Sequence, residues 1–175
     1  KEFAIWNIGV TAGVAGLFMG DGTGQGDVDL PLYAVRVLLL GGGLMAASAG
    51  LTCYSRSDSE LYVSTWHLVG GLVVLPWVLV TIYLLLGVDT VRGVAQASVV
   101  TWATSSLTQV WLGMVGLAII YYFVPKILGC PLYSRQLAQY GFFGILALGG
   151  FLGVHAGAPV PAWVVRLSDF AAVLF

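Results

Sequence analysis

The chain has 175 residues, of which 9% are charged and 59% hydrophobic, and its formal net charge is −1. Soluble domains carry about 25% charged residues, so a water-soluble fold lacks the polar surface it needs here, and the mean hydropathy of +0.95 marks an integral membrane protein. No basic cluster points to nucleic acid as a partner.

Crossing a bilayer takes about 20 predominantly apolar residues, and five segments reach or approach that length while a sixth begins. The first, 4–20, contains Gly16-x-x-x-Gly20 and leads into an acidic, glycine-rich loop with Asp21, Asp27 and Asp29. The second, 31–53, opens on Pro31, a residue suited to a first helical turn. The third, 61–87, holds Pro76 near its middle, where a lost hydrogen bond predicts a kink. The fourth, 94–124, is longer than a span requires and ends in Tyr121-Tyr122-Phe123-Val124-Pro125-Lys126. The fifth covers 134–155, and the sixth, 162–175, starts after Pro161 and stops inside an apolar run. A chain that starts at Lys1 and stops there is expected to be a fragment or a processed product, and no signal-peptide pattern precedes the first apolar run.

The runs are continuously apolar, whereas barrel strands alternate over about 10 residues. Backbone groups in lipid must be satisfied within the segment, which a continuous run achieves only as a helix. The expected fold is therefore all-α, a polytopic transmembrane bundle of five to six helices forming one domain over 1–175. Counting Lys and Arg on alternate sides gathers Lys1, Arg56, Lys126 and Arg135 on one face. The other face has Arg92 and Arg166 but also Asp21, Asp27, Asp29 and Asp89. The positive-inside bias then places loops 54–60 and 125–135 in the cytoplasm and the acidic loop outside.

Few residues could carry chemistry. The loop at 20–29 has no Lys-Ser/Thr after its glycines, so a phosphate loop is not indicated; its acids could offer oxygens to calcium or form a solvated connection. Arg36 lies about one and a half turns inside the second segment, where a charge must face protein or water or snorkel. It could pair with Asp27 or Asp29, or contact a haem propionate or quinone headgroup. His67 and His155 fall towards opposite membrane faces, so they cannot share a metal and each reads as an interfacial or hydrogen-bonded histidine. Cys53 and Cys130 lack metal-site spacing and are expected to be free thiols. Trp6, Tyr62, Trp66, Trp102 and Trp163 sit near segment ends, as an aromatic belt does. Thr101, Thr104, Ser105, Ser106 and Thr108 could bond helix carbonyls, pair between helices or line a water path.

The run Tyr121-Tyr122-Phe123-Val124-Pro125-Lys126 is followed by Pro131-Leu132-Tyr133-Ser134 and Leu137. With Trp102 upstream and Gly153, His155 and Pro161-Ala162-Trp163 downstream, it resembles the catalytic subunit of cbb3-type haem–copper oxidases. Leu61-Tyr62-Val63 before Trp66 resembles the entry to an earlier helix of that family. The resemblance implies about six central helices of a twelve-helix bundle, whose oxygen-reducing centre pairs a haem with a copper held by three histidines. In that frame the first copper-histidine position falls on Ser105, the second on His155 and the third on Ala156, and the tyrosine position falls on about Gly149. The haem-ligating histidines belong to helices outside this chain.

One imidazole cannot hold copper at an open catalytic site, which needs about three protein ligands and a free position. The resemblance therefore implies a non-catalytic relative, structural or assembly-related, that binds no haem or copper itself. Its partners would be lipids and other membrane subunits of a respiratory or photosynthetic electron-transfer complex in a bacterial cytoplasmic membrane. The small-residue faces at Gly113/Gly116 and Gly149/Gly153 suit such contacts. Two alternatives stand beside it. One is a fragment of a divergent cytochrome c oxidase or nitric-oxide-reductase-like catalytic subunit, with haem and copper. The other is a small transporter subunit.

Overall fold

Hydrocarbon offers the backbone no water to bond, and every regular element among the described residues is helical. The structure is a computed structural model that describes residues 1–24, 26–56, 61–88, 91–152, 154 and 160–174, with the side chain of Asp27 outside that description. His155, Ala156, Gly153 and Asp89, singled out above, also lie outside it.

Helix α1 runs Glu2–Met19 and stops at Gly20, whose φ of 86° lets its N–H reach back to the Gly16 and Leu17 carbonyls. A short 3-10 turn, Gly26–Val28, leads to α2, Leu32–Tyr54. Helix α3, Val63–Ile82, keeps Pro76 inside it and then widens into a π turn at Tyr83–Gly87. Helix α4, Val94–Ser105, passes through a second π turn, Ser106–Trp111, into α5, Leu112–Leu128. Helix α6, Arg135–Leu148, is capped by the Ser134 hydroxyl, which accepts from the Leu137 N–H at 3.2 Å, and tightens to a 3-10 turn at Gly149–Phe151. Helix α7 covers Ala162–Leu174.

Four of these are long and apolar enough to cross a membrane: Glu2–Met19, Leu32–Tyr54, Val63–Gly87 and Val94–Leu128. The protein is thus an all-helical chain with four candidate membrane spans. In the fifth expected segment α6 covers 14 residues and continues into the 3-10 turn, and in the sixth α7 covers 13 described residues. The fourth segment differs at its end. Its helix does not stop at Tyr-Tyr-Phe-Val-Pro-Lys but carries Pro125 inside its last turn and ends at Gly129, with φ 65°. Proline costs one hydrogen bond, whereas a left-handed glycine reverses the chain and satisfies the closing carbonyls, so the glycine sets the boundary.

Glycines bring the helices together. Gly9 lies against Leu38, Gly16 against Pro31 and Tyr33, and Gly41 against the backbone of Trp6, which closes α1 on α2. Gly70 and Gly71 let Phe142 and Met114 approach α3, and Gly42 faces Leu75. Three apolar clusters fill the remaining interior, around Val78–Ile82–Leu86–Ala103, Leu38–Leu75–Leu79 and Val110–Met114–Phe142. Val28 joins the first and pins the acidic loop onto α3 and α4.

A Cβ added at Gly41 would lie 3.0 Å from the Trp6 nitrogen, whereas at Gly43 nothing lies within 4 Å. Gly41→Val should therefore lower the thermal midpoint of the detergent-solubilised protein, at an overpacking cost of about 1–3 kcal/mol. Gly43→Ala should leave the midpoint in place, as thermal unfolding of the two variants side by side will show.

Candidate functional site

An ionisable group inside a membrane helix marks a functional site by default, and His67 is the most deeply placed of them here. It sits one turn into α3, and its side chain is fully buried. Its Nδ1 lies 2.9 Å from the carbonyl oxygen of Val63. A carbonyl can only accept, so Nδ1 carries a proton and donates to it. Nε2 finds no partner among the described residues. The ring is walled by Tyr121 of α5 at 5.1 Å between centroids and by Phe142 of α6 at 5.3 Å, the latter edge-on. Trp66 meets the same Phe142 at 6.0 Å. His67 is thus a buried, hydrogen-bonded histidine at the meeting of α3, α5 and α6.

The second place of interest surrounds Ser105. Ser105 ends α4 and is buried, as is Ser106, which opens the π turn. Turns of this width are often found at functional sites. A Cβ placed on Gly150 would lie 2.9 Å from both the Ser106 hydroxyl and the Trp102 indole nitrogen, so a residue without a side chain lets these two polar groups converge. The Thr104 hydroxyl is buried with no partner among the described residues. Of the neighbouring hydroxyls, Thr101 donates to Ala97 at 2.9 Å and Thr108 to Thr104 at 2.8 Å, both carbonyls of the same helix. They follow the first of the three uses expected for them.

These two places are separate. His67 meets α5 at Tyr121, sixteen positions beyond Ser105, which is about 24 Å at 1.5 Å per residue. At Ser105 a neutral hydroxyl is a weak metal donor, and the other two positions of the resemblance, His155 and Ala156, lie outside the described residues. A haem does not fit at His67. Its Nε2 is sealed against the solvent and its ring faces are taken by Tyr121 and Phe142.

Arg36, the other candidate, lies exposed on α2 with its guanidinium 5.4 Å from the centre of the Tyr83 ring, a cation–π contact across to the π turn of α3. Of the two acids expected to pair with it, Asp29 is engaged elsewhere, accepting from the Gly24 N–H at 2.8 Å and the Thr23 hydroxyl at 3.2 Å. Those bonds close the acidic loop on itself. Cys53 and Cys130 are free thiols.

The environment of His67 was not legible in advance. The available signals were the i−4 spacing to Val63 and the Gly70-Gly71 pair one turn on, which allows close approach but does not say by what. Compared with known proteins, the sequence matches no family model and no curated protein.

Because Nε2 has no partner, replacing the imidazole with an apolar ring of similar shape removes no bond that another side chain depends on. His67→Phe should leave the thermal midpoint unchanged or slightly raised. Met114→Ala, which empties the fully buried neighbour, should cost about 2–5 kcal/mol. Thermal unfolding in detergent checks both.

Proposed function

We propose that this protein is a non-catalytic membrane subunit, similar in frame to haem–copper oxidase subunit I. Its work is structural or assembly-related within a larger respiratory or photosynthetic electron-transfer complex. In this reading it resides in a bacterial cytoplasmic membrane with loops 54–60 and 125–135 inside, and its contacts are other membrane subunits and lipid.

The observation that supports this best is how little of each span the chain covers by itself. Only 17–28% of the most apolar window of each spanning helix is buried within the chain. Small residues lie bare on the uncovered faces: nothing approaches within 4 Å of a Cβ on Gly113 or Gly116 of α5. Association between membrane helices is driven by close packing at such small residues, so this face is ready for another helix. The hydroxyl at Ser105, where the resemblance places a copper histidine, supports a role without oxygen chemistry.

The chain, tagged and kept at native expression, should migrate in a mild detergent with a redox complex and carry no stoichiometric haem or copper when isolated. Gly113→Leu together with Gly116→Leu fills only open space, so stability should hold while copurification falls by at least tenfold. Stoichiometric haem and copper on the isolated chain, shown by absorption spectrum and metal analysis, would sink this function and establish the oxidase alternative.

A further inference from the structure

Thr81, Ser98, Thr101 and Thr108 each give their hydroxyl proton to a carbonyl of their own helix. Gln109, the residue after Thr108, is different. It sits in the π turn between α4 and α5, its side chain is exposed, and its carboxamide makes no hydrogen bond among the described residues. Its depth makes that costly. The nearest charged residues along the chain are Arg92 and Lys126, each seventeen positions away, or about 25 Å at 1.5 Å per residue. Wherever the hydrocarbon core of about 30 Å lies between those two charges, Gln109 is inside it. An amide taken out of water without a partner is strongly unfavourable, and polar side chains at this depth face protein rather than lipid.

The surroundings of Gln109 select the partner. Gly113 and Gly116 lie four and seven positions on, along the same side of the helix, and nothing comes within 4 Å of a Cβ on either. A second helix can approach closely there. At the depth of Gln109 it must carry a group that both donates and accepts, because a carboxamide offers two N–H donors and a carbonyl acceptor. A second copy of this chain has that group by identity. Two copies inserted the same way are related by a two-fold axis along the membrane normal, which sets each residue near the axis opposite itself at one depth. Each Gln109 then donates to the other and accepts from it. Exposed Leu112 and Ile120 flank the pair with apolar surface, and no charged residue lies between 93 and 125 to oppose the contact.

We propose that the chain forms a parallel two-fold dimer through this face of α5, held by reciprocal hydrogen bonds between the two Gln109 carboxamides beside the bare backbone of Gly113 and Gly116. The inference rests on that part of the proposed function which gives this face to another helix, and the larger complex then receives the pair.

The test expresses two differently tagged copies of the full chain in one membrane. Capture of one tag in mild detergent should recover the other, with membranes mixed after separate expression giving the background. Gln109→Leu puts an apolar side chain where the single chain meets lipid, so the thermal midpoint of the chain should hold while recovery falls by about fivefold or more. Disulfide formation gives an independent measure. In a Cys53→Ser/Cys130→Ser chain, Gly113→Cys should cross-link two copies about fivefold more than Ile119→Cys, which is exposed on another side of α5. Background recovery of the unaltered chain, recovery unchanged by Gln109→Leu, or equal cross-linking at 113 and 119 would overturn the dimer. A redox complex that carries a single copy overturns the dimer and leaves the proposed function standing, whereas a dimer that migrates with no redox complex does the reverse.

Discussion

The structure depends on how polar side chains are satisfied where water is absent. Thr11, Ser48, Thr52, Thr81, Ser98, Thr101 and Thr108 each donate to the carbonyl four residues earlier in their own helix, and His67 does the same through Nδ1. A hydroxyl held this way is satisfied within its own helix and contributes little to holding two helices together. Ser48 is an exception, reaching Glu2 across the α1–α2 contact at 3.2 Å. Association must therefore come from packing, and the glycines at 9, 16, 41, 70 and 71 are where backbones or bulky side chains come close.

The π turn at Ser106–Trp111 belongs to this packing. One extra residue in a turn rotates everything beyond it by about 100° relative to a regular helix. Downstream, that rotation sets which side of α5 meets α3 and α6, placing Met114 in the core with Phe142. Upstream, Trp102 and Ser106 close on Gly150. The wide turn lets one long helix serve two different neighbours above and below it, which a regular 35-residue helix could not do with the same sequence.

The spans were legible because their signal is additive. Twenty apolar residues in a row outweigh any local ambiguity, and α2 and α3 fall within two residues of expectation at their starts. Ends were harder. Pro125 looked like a stop, but one lost bond in a last turn is tolerated, and Gly129 supplies the reversal. In the stretch 134–155, α6 gives way to a 3-10 turn at Gly149-Gly150, where two glycines in succession weaken the helix. At the sites, the sequence singled out Ser105, Arg36 and His67 by type and depth. It could not show that Arg36 stacks on Tyr83 or that Tyr121 and Phe142 enclose His67, because those contacts join residues 47 to 75 positions apart and depend on the packing of three helices.

Under the proposed function, how the junction at Ser105 holds without a metal follows from volume and polarity. A coordinated metal fixes helices through several strong bonds, and removing it leaves both a void and unpaired donors. Here Trp102 and Ser106 approach where Gly150 has no side chain, and Gly149 receives Val110. A serine buried in a helix costs little, since its hydroxyl is small and a carbonyl of its own helix is within reach. An unliganded histidine at the same place would instead bury a ring nitrogen without a partner, as Nε2 of His67 is. Under the proposed function, serine at 105 is thus a substitution that lets the junction close by packing alone.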